Sequence, residues 1–348
     1  MHYKLFGQHT GLRLSEIILG AGMFGMKWGH GADIEESRKI FDGYVEAGGN
    51  FIDTSDTYQF GESEEFLGEF IKPHREEVFL TTKFTMSVDP KGGILATGNS
   101  RKAMVHSLEQ SLKRLKTDRL DLYWVHFPDA VTPIEEIVRG LDDLVRAGKI
   151  LYIGLSDFPA WRVSAASVLA NLRGWTPIAA QQIEYSLVER TPERDLLPMA
   201  AAYGLATVGW SPLGGGVLTG KYRKGETGRD QGMGGRVFQP ENTPQRSAII
   251  DTLEAIAAEI GSNPGRIAIA WVRAKGVWPI IGPRTRAQLD DNIGALDIVL
   301  SPEQLLRLDE VSAVSLGFPH DMLSATSMQN RLTGGKLDLF DRPAVPAR

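Results

Sequence analysis

Leu120-Asp121-Leu122-Tyr123-Trp124-Val125-His126 is a short apolar run that ends on an imidazole. Beyond it, Ile134, Ile137, Leu141 and Leu144 recur at helical spacing, and Leu151-Tyr152-Ile153-Gly154-Leu155 is apolar again. The outer pieces have strand length; the middle one carries an apolar stripe of period 3.6. Thr132 is expected to cap the helix, with Pro133 at its first position, Glu135 in the box position and Gly148 at its stop. The unit reads strand, helix, strand, and a helical crossover leaves its two strands parallel.

The same alternation extends in both directions. Strands are expected at Ile17–Leu19, Phe51–Asp53, Val78–Lys83, Ala179–Ile183, Thr207–Trp210 and Trp278–Ile281, which makes about eight with the first two. Most lack strict alternation, as strands covered on both faces do. Leu108, Leu112 and Leu115 form a helical stripe after Ser100, and Asp33 with Glu36 suggests a capping box before Ile40 and Tyr44. Repeated strand–helix units predict an α/β fold, a (β/α)8 TIM barrel, with a doubly wound sheet as the alternative. Lys4–Phe6 and Leu12–Leu14 flank Gly7 and Gly11 as a short N-terminal hairpin, placed under the barrel bottom. Residues 1–348 read as a single domain, with a barrel core at about 15–312. The C-terminal tail, 313–348, is expected over the barrel and ends Pro343-Ala344-Val345-Pro346.

Composition removes whole classes of chemistry. There is no cysteine, so disulfides, thiolate nucleophiles, iron–sulfur clusters and Cys-type zinc sites are out. The 7 His include no HExxH pair, so no metal site is expected. With 38 basic and 43 acidic residues and no basic block, neither a nucleic acid nor a membrane surface is an expected partner. The first residues lack a secretory apolar core, which predicts a soluble, cytoplasmic protein.

Two glycine patterns point elsewhere. Gly20-Ala21-Gly22-Met23-Phe24-Gly25 matches GxGxxG, and Asp53 ends the next strand. A dinucleotide fold needs the helix to open inside that motif, so that its N-terminus holds the pyrophosphate. Here Lys27-Trp28-Gly29-His30-Gly31-Ala32 intervenes, so the segment reads as a loop at a barrel mouth. Gly215 to Lys221 fits GxxxxGK, but Tyr222 stands where magnesium binding needs Ser or Thr. Gly154-Leu155-Ser156-Asp157 is no nucleophile elbow, since it lacks the second glycine and a neighbouring base.

Polar groups instead gather at strand ends. Asp53, Lys83, His126, Ser156, Gln182 and Trp210 each close or follow a strand, and barrel strand ends converge on one face. Tyr58 follows Asp53 in the loop Thr54-Ser55-Asp56-Thr57-Tyr58. A free phenol ionises near pH ~10, too high for ready proton exchange at neutrality. A neighbouring ammonium favours the phenolate. Lys83 would supply that charge, Asp53 would hold Lys83, and His126 would polarise a substrate oxygen. This is a carbonyl site without nucleophile or metal, so a cofactor must carry the electrons.

Asp53, Tyr58, Lys83 and His126 resemble the catalytic tetrad of the aldo-keto reductase superfamily. The surrounding text is similar over about residues 3–312: Asn50-Phe51-Ile52-Asp53-Thr54, Gly61-Glu62-Ser63-Glu64, Gly148-Lys149-Ile150, Gln182-Ile183-Glu184-Tyr185-Ser186 and Trp210-Ser211-Pro212-Leu213-Gly214-Gly215-Gly216. The likeness lies near the branch that includes the cytoplasmic beta subunits of potassium channels. It implies NADPH or NADP+ extended across the barrel mouth, with NADH also possible.

Carried onto this sequence, the resemblance implies that Ser156 and Gln182 bind the nicotinamide carboxamide and that Trp210 stacks on its ring. Ser211, Pro212, Leu213 and Gly215 would line the pyrophosphate, with Lys221 nearby. Gly22, Met23 and Asp53 would border the reacting end. Gly282, Arg284, Gln288, Asp291 and Asn292 would form the adenosine segment, with Arg284 facing the 2′-phosphate. The family usually has Asn after Ser156, whereas this chain has Asp157.

Phe24, Trp28, Phe84 and Phe127 are expected to line the substrate pocket, with Phe60, Phe158 and Phe238 near them. The implied activity is NADPH-dependent reduction of an aldehyde or ketone to an alcohol, with Tyr58 as general acid. An NADP+-dependent sugar or secondary-alcohol dehydrogenase, or a slow-turnover nucleotide-binding redox sensor, is the alternative. The implied partner is a small-molecule carbonyl or alcohol substrate.

Overall fold

A computed structural model describes residues 1–89, 91–226, 228 and 235–341. The chain opens with β1 (Tyr3–Leu5) and β2 (Arg13–Ser15), an antiparallel hairpin with Lys4 opposite Leu14. Eight parallel strands follow: β3 (Ile18–Gly20), β4 (Phe51–Asp53), β5 (Phe79–Phe84), β6 (Leu120–Val125), β7 (Ile150–Ser156), β8 (Ile178–Glu184), β9 (Ala206–Trp210) and β10 (Trp278–Ile281). They pair in chain order, and β10 returns to β3, closing the barrel. The eight expected strands are all present, with ends shifted by at most one residue.

Helices cover the outside. They are α1 (Ile34–Glu46), α2 (Glu62–Phe70), α3 (Arg101–Leu115), α4 (Ile134–Arg146), α5 (Ala160–Arg173) and α6 (Leu196–Tyr203). The pair α7 (Pro244–Glu259) and α8 (Pro264–Ala274) precedes β10, and α9 (Arg286–Ile293) and α10 (Pro302–Val311) follow it. Asp33 caps α1 as expected, accepting from the Glu36 N–H, but Glu36 Oε1 accepts from the Arg286 backbone instead of closing a box. Thr132 does not cap α4. Its hydroxyl turns to Asp129, and Pro133 holds the cap position because proline supplies the required φ without a donor.

The strands sort their side chains by parity. Ile52, Leu80, Tyr123, Val125, Ile153 and Leu155 pack outward against the helices. Phe51, Phe79, Leu122, Trp124, Val208, Trp278 and Ile280 fill the barrel. Gly154 is required there: a Cβ would lie 2.4 Å from the Trp124 ring. Phe6, just past β1, enters the same inner cluster. Its ring meets Phe51 and Trp278 at 5.4 Å and Phe79 at 6.0 Å, so the hairpin plugs the bottom.

After α10 the tail forms α11 (His320–Ser324) and α12 (Thr326–Leu332), neither with a buried residue. His320 Nε2 meets Asp195 at 3.1 Å, which ties the tail to the loop before α6. The end Pro343-Ala344-Val345-Pro346 lies outside the described residues. Among the described residues no helix is long and apolar enough to cross a membrane.

The plug has a measurable consequence. Phe6→Ala should cost ~3–5 kcal/mol, the usual price of emptying a buried aromatic site. Urea unfolding of the two proteins measures it. A loss below about 1 kcal/mol would mean that the hairpin does not seal the core.

Candidate active site

The inner parity that builds the apolar floor continues upward into polar residues. Asp53 stands two residues above Phe51, Lys83 four above Phe79, His126 two above Trp124 and Gln182 two above Ala180. Parallel pairing puts Asp53 beside Thr81 and Ser156 beside Gln182.

Lys83 is wholly buried, so its ammonium must be paired. Nζ donates to Asp53 Oδ2 at 2.5 Å, to the Thr54 carbonyl at 2.8 Å and to the Tyr58 hydroxyl at 3.2 Å. Burial opposes its charge, but Asp53 and then Tyr58 outweigh burial and hold it above the ordinary lysine range. Asp53 Oδ1 accepts from Thr81 at 2.8 Å and from Gln182 Nε2 at 3.3 Å. Burial, and then the Lys83 charge, hold His126 well below the ordinary histidine range, so its imidazole is neutral. Its ring lies edge-on to Tyr58, 5.9 Å between centres. The four expected catalytic residues therefore form one cluster.

The mouth loops hold one another. After β3, the Trp28 N–H donates to Gln59 Oε1 at 2.8 Å, and Gln59 Nε2 donates to the His30 carbonyl at 2.9 Å. Glu62 Oε2 takes the Met26 N–H at 2.7 Å. Gln59 and Phe60 reach these places with φ near +52°, an uncommon backbone state for such residues. Sequence reasoning passed over Gln59, Ser55, Asp56 and Thr81. Only Thr81 had a readable signal, since it lies two residues before Lys83 and shares its face.

Trp28 and Phe127 stay at the mouth. Trp28 is 37% exposed with its ring 6.0 Å from Tyr58, and Phe127 stacks on His126 at 4.3 Å. Phe24 and Phe84 do not line the pocket; both are fully buried in the layer beneath the helices. Phe84 follows inward Lys83, so pleating turns it outward onto Tyr123. Phe24 packs on Phe70 of α2. Phe158 is buried likewise, under Arg162.

The expected cofactor residues form a track across the same face. Ser156 Oγ is buried with no hydrogen-bond partner among the described residues. A carboxamide beside Gln182 would give it a partner. Trp210 is half-buried, and its Nε1 donates to Asp157 at 3.1 Å. Ser211, Pro212 and Leu213 lead into Gly214, Gly215 and Gly216, whose φ values of +57°, +69° and +98° favour glycine and let backbone amides approach a phosphate.

Lys221 lies against Gly216, where an added Cβ would come within 2.8 Å of Nζ. Gly22 lies against Tyr58, its Cβ position 3.5 Å from the ring, and half-buried Met23 follows it. Gly282 faces open space and half-buried Arg284 stands two residues on. Gln288 Oε1 accepts from the Arg284 N–H at 2.9 Å, and Asn292 is buried. Asp291 pairs with Arg266 at 2.9 Å and Asn263 at 2.8 Å, so its carboxylate holds α8 in place. Ser156, the Gly214–Gly216 turn and Arg284 have the chemistry that an extended dinucleotide would need; the Asp291 carboxylate does not face it.

A closed parallel barrel with this polar cluster at its strand ends is the architecture that the comparisons with known proteins assign to a class of oxidoreductases. The aldo/keto reductase family model matches residues 16–313, and the chain belongs to that family. It is an oxidoreductase acting on carbonyl or alcohol groups. The chain is 37% identical to a putative aryl-alcohol dehydrogenase, AAD14, of Saccharomyces cerevisiae, over 92% of this chain and 89% of the relative. It is 38% identical to aryl-alcohol dehydrogenase [NADP(+)] of Phanerodontia chrysosporium, over 89% and 86%. It is 35% identical to norsolorinic acid reductase of Aspergillus flavus, over 95% and 86%.

Asp157 supplies a test of the mouth's electrostatics. Burial first, and then the Glu184 charge, push its carboxyl up to about 6, against the opposing pull of Trp210 and Lys83. The folded chain therefore holds this proton where the unfolded chain has lost it. Asp157's contribution to stability is present at low pH and is lost as pH rises through about 6. Asp157→Asn has no such loss, so its melting temperature should rise relative to wild type between pH 4 and pH 7. A pH-independent difference would contradict this account.

Proposed function

We propose that the enzyme interconverts an aromatic or apolar carbonyl compound and its alcohol using NADP(H). The Asp53–Lys83–Tyr58 chain, with neutral His126 at its side, carries this reading. The names of the relatives, an NADP(+) aryl-alcohol dehydrogenase and a reductase among them, support the same class of substrate and cofactor.

A bound nicotinamide supplies the hydride in reduction and accepts it in oxidation. The chain's own residues manage the oxygen and the proton. Tyr58 OH donates its proton to the oxygen as charge develops there. The Lys83 ammonium, 3.2 Å away, stabilises the phenolate that remains. Asp53 keeps Lys83 charged and aimed, and Thr81 and Gln182 keep Asp53 aimed. His126, uncharged, offers one N–H to the same oxygen. Alcohol oxidation runs through the same groups in reverse.

Ser156 and Gln182 would hold the carboxamide and Trp210 the ring face. Gly214–Gly216 and Lys221 would meet the pyrophosphate, and Arg284 the 2′-phosphate, whose geometry suits a guanidinium. Trp28, Phe60 and Phe127 frame the entrance with aromatic surface, which favours aryl substrates over sugars.

Loss of NADPH absorbance with an activated aromatic aldehyde tests the reading. Wild type should consume NADPH. Tyr58→Phe should lose ~10²–10⁴-fold in turnover, the range of a general acid's contribution, while NADPH binding followed by fluorescence is unchanged. An active Tyr58→Phe, or an equal loss of binding and turnover, would contradict the assigned role.

A further inference from the structure

His126 is neutral, so only one of its two ring nitrogens carries a proton. Nδ1 lies 3.2 Å from Ser55 Oγ. Whatever Ser55 does with its single proton therefore decides what Nε2 offers on the other side of the ring.

Ser55 has a second neighbour of consequence. Its Oγ is 3.3 Å from Asp56 Oδ1, and Thr57 Oγ1 is 3.2 Å away. Two directions are possible along Asp56, Ser55 and His126. An ionised Asp56 would take the Ser55 proton, force Nδ1 to donate, and leave Nε2 a bare acceptor. A protonated Asp56 would donate to Ser55, Ser55 would donate to Nδ1, and the imidazole proton would stand on Nε2.

Charge accounting decides between them. Asp56 is 1% exposed and shares its surroundings with Glu64. Glu64 already holds the one guanidinium there, with Arg114 Nε 2.6 Å from Oε2, and takes the Thr82 hydroxyl at 2.6 Å on Oε1. The other groups nearby are the Tyr123 phenol, which donates to the Met104 carbonyl, and the Lys83 ammonium, committed to Asp53. A charge on Asp56 would be a second buried anion against one cation. Burial, and then Glu64, hold its carboxyl well above the usual range despite Arg114.

We propose that Ser55, backed by Asp56, is a positioning residue that fixes His126 with its proton on Nε2, the tautomer able to donate to a carbonyl oxygen. The catalytic value of this arrangement rests on the carbonyl chemistry proposed above. The tautomer itself is a property of the free protein.

Both parts can be measured separately. Histidine-selective 15N labelling, with His126→Ala to assign the signal, reads the tautomer by long-range proton–nitrogen correlation without cofactor. Wild type should show an unprotonated Nδ1 and a protonated Nε2. Ser55→Ala should shift the signal toward a mixture and lower kcat on the order of tenfold, with the KM for NADPH unchanged. Ser55→Thr, which keeps the hydroxyl, should restore both. Asp56→Asn keeps a neutral donor, so it should preserve the tautomer.

A proton on Nδ1 in wild type would overturn the proposal, as would an unchanged tautomer in Ser55→Ala or an inverted one in Asp56→Asn. An active Tyr58→Phe would defeat the carbonyl mechanism alone and leave the tautomer result standing.

Discussion

A lysine ammonium that no water reaches is the constraint around which this barrel is arranged. Lys83 is fully inaccessible, and an unpaired charge there would cost several kcal/mol. Its three acceptors come from β4 and the loop after it: the Asp53 carboxylate, the Thr54 carbonyl and the Tyr58 hydroxyl. That set exists only because β4 and β5 are adjacent, parallel and registered Asp53 to Thr81. A slip of one residue would turn Lys83 outward into the apolar layer. A buried ion pair contributes little to stability against an apolar pair of similar volume. Its use lies in direction, since two of the three bonds anchor Nζ and leave the third for one phenol.

The site was legible because strand parity and fold agree. Once the eight apolar runs are read as one parallel barrel, their ends must converge. Asp53, Lys83, His126 and Gln182 all read as strand-end residues, and the closed barrel brings them together. The same parity, applied one residue further, separates Phe84 from the pocket. An aromatic next to an inward lysine points outward, so counting aromatics near strand ends without counting parity includes it wrongly. Phe24 is different. It lies in a loop, where no period exists, and only its packing on Phe70 shows that it belongs to the core.

What stayed hidden involves polar side chains satisfied by distant backbone. Gln59 reads as an unremarkable loop glutamine, yet it clamps Trp28 and His30 from about thirty residues away. Thr132 fits a helix-cap pattern, but its hydroxyl is turned to donate to Asp129 and proline takes the cap position. Asp291 reads as part of the adenosine segment, and nothing in that pattern shows that its carboxylate bonds Arg266 and Asn263. Each case is a competition between hydrogen-bond partners, and a linear pattern names only one competitor.

Charge along the mouth is ordered rather than balanced. At the barrel centre Asp53 and Lys83 cancel each other. Beside Trp210, the Asp157 carboxylate takes the indole N–H and Glu184 takes Gln239 Nε2 at 2.8 Å. The other end of the track carries Lys221 and Arg284. Lys221 lies against Gly228, and Arg284 Nη1 reaches the Gly228 carbonyl at 3.5 Å. A ligand laid as proposed would run from Lys221 and Arg284 to Trp210, Asp157 and Glu184. Phosphates suit the first end, and a ring that is neutral or positive suits the second. On the proposed function, the same ordering of charge would orient a dinucleotide, with its phosphates at the first end and its nicotinamide at the second.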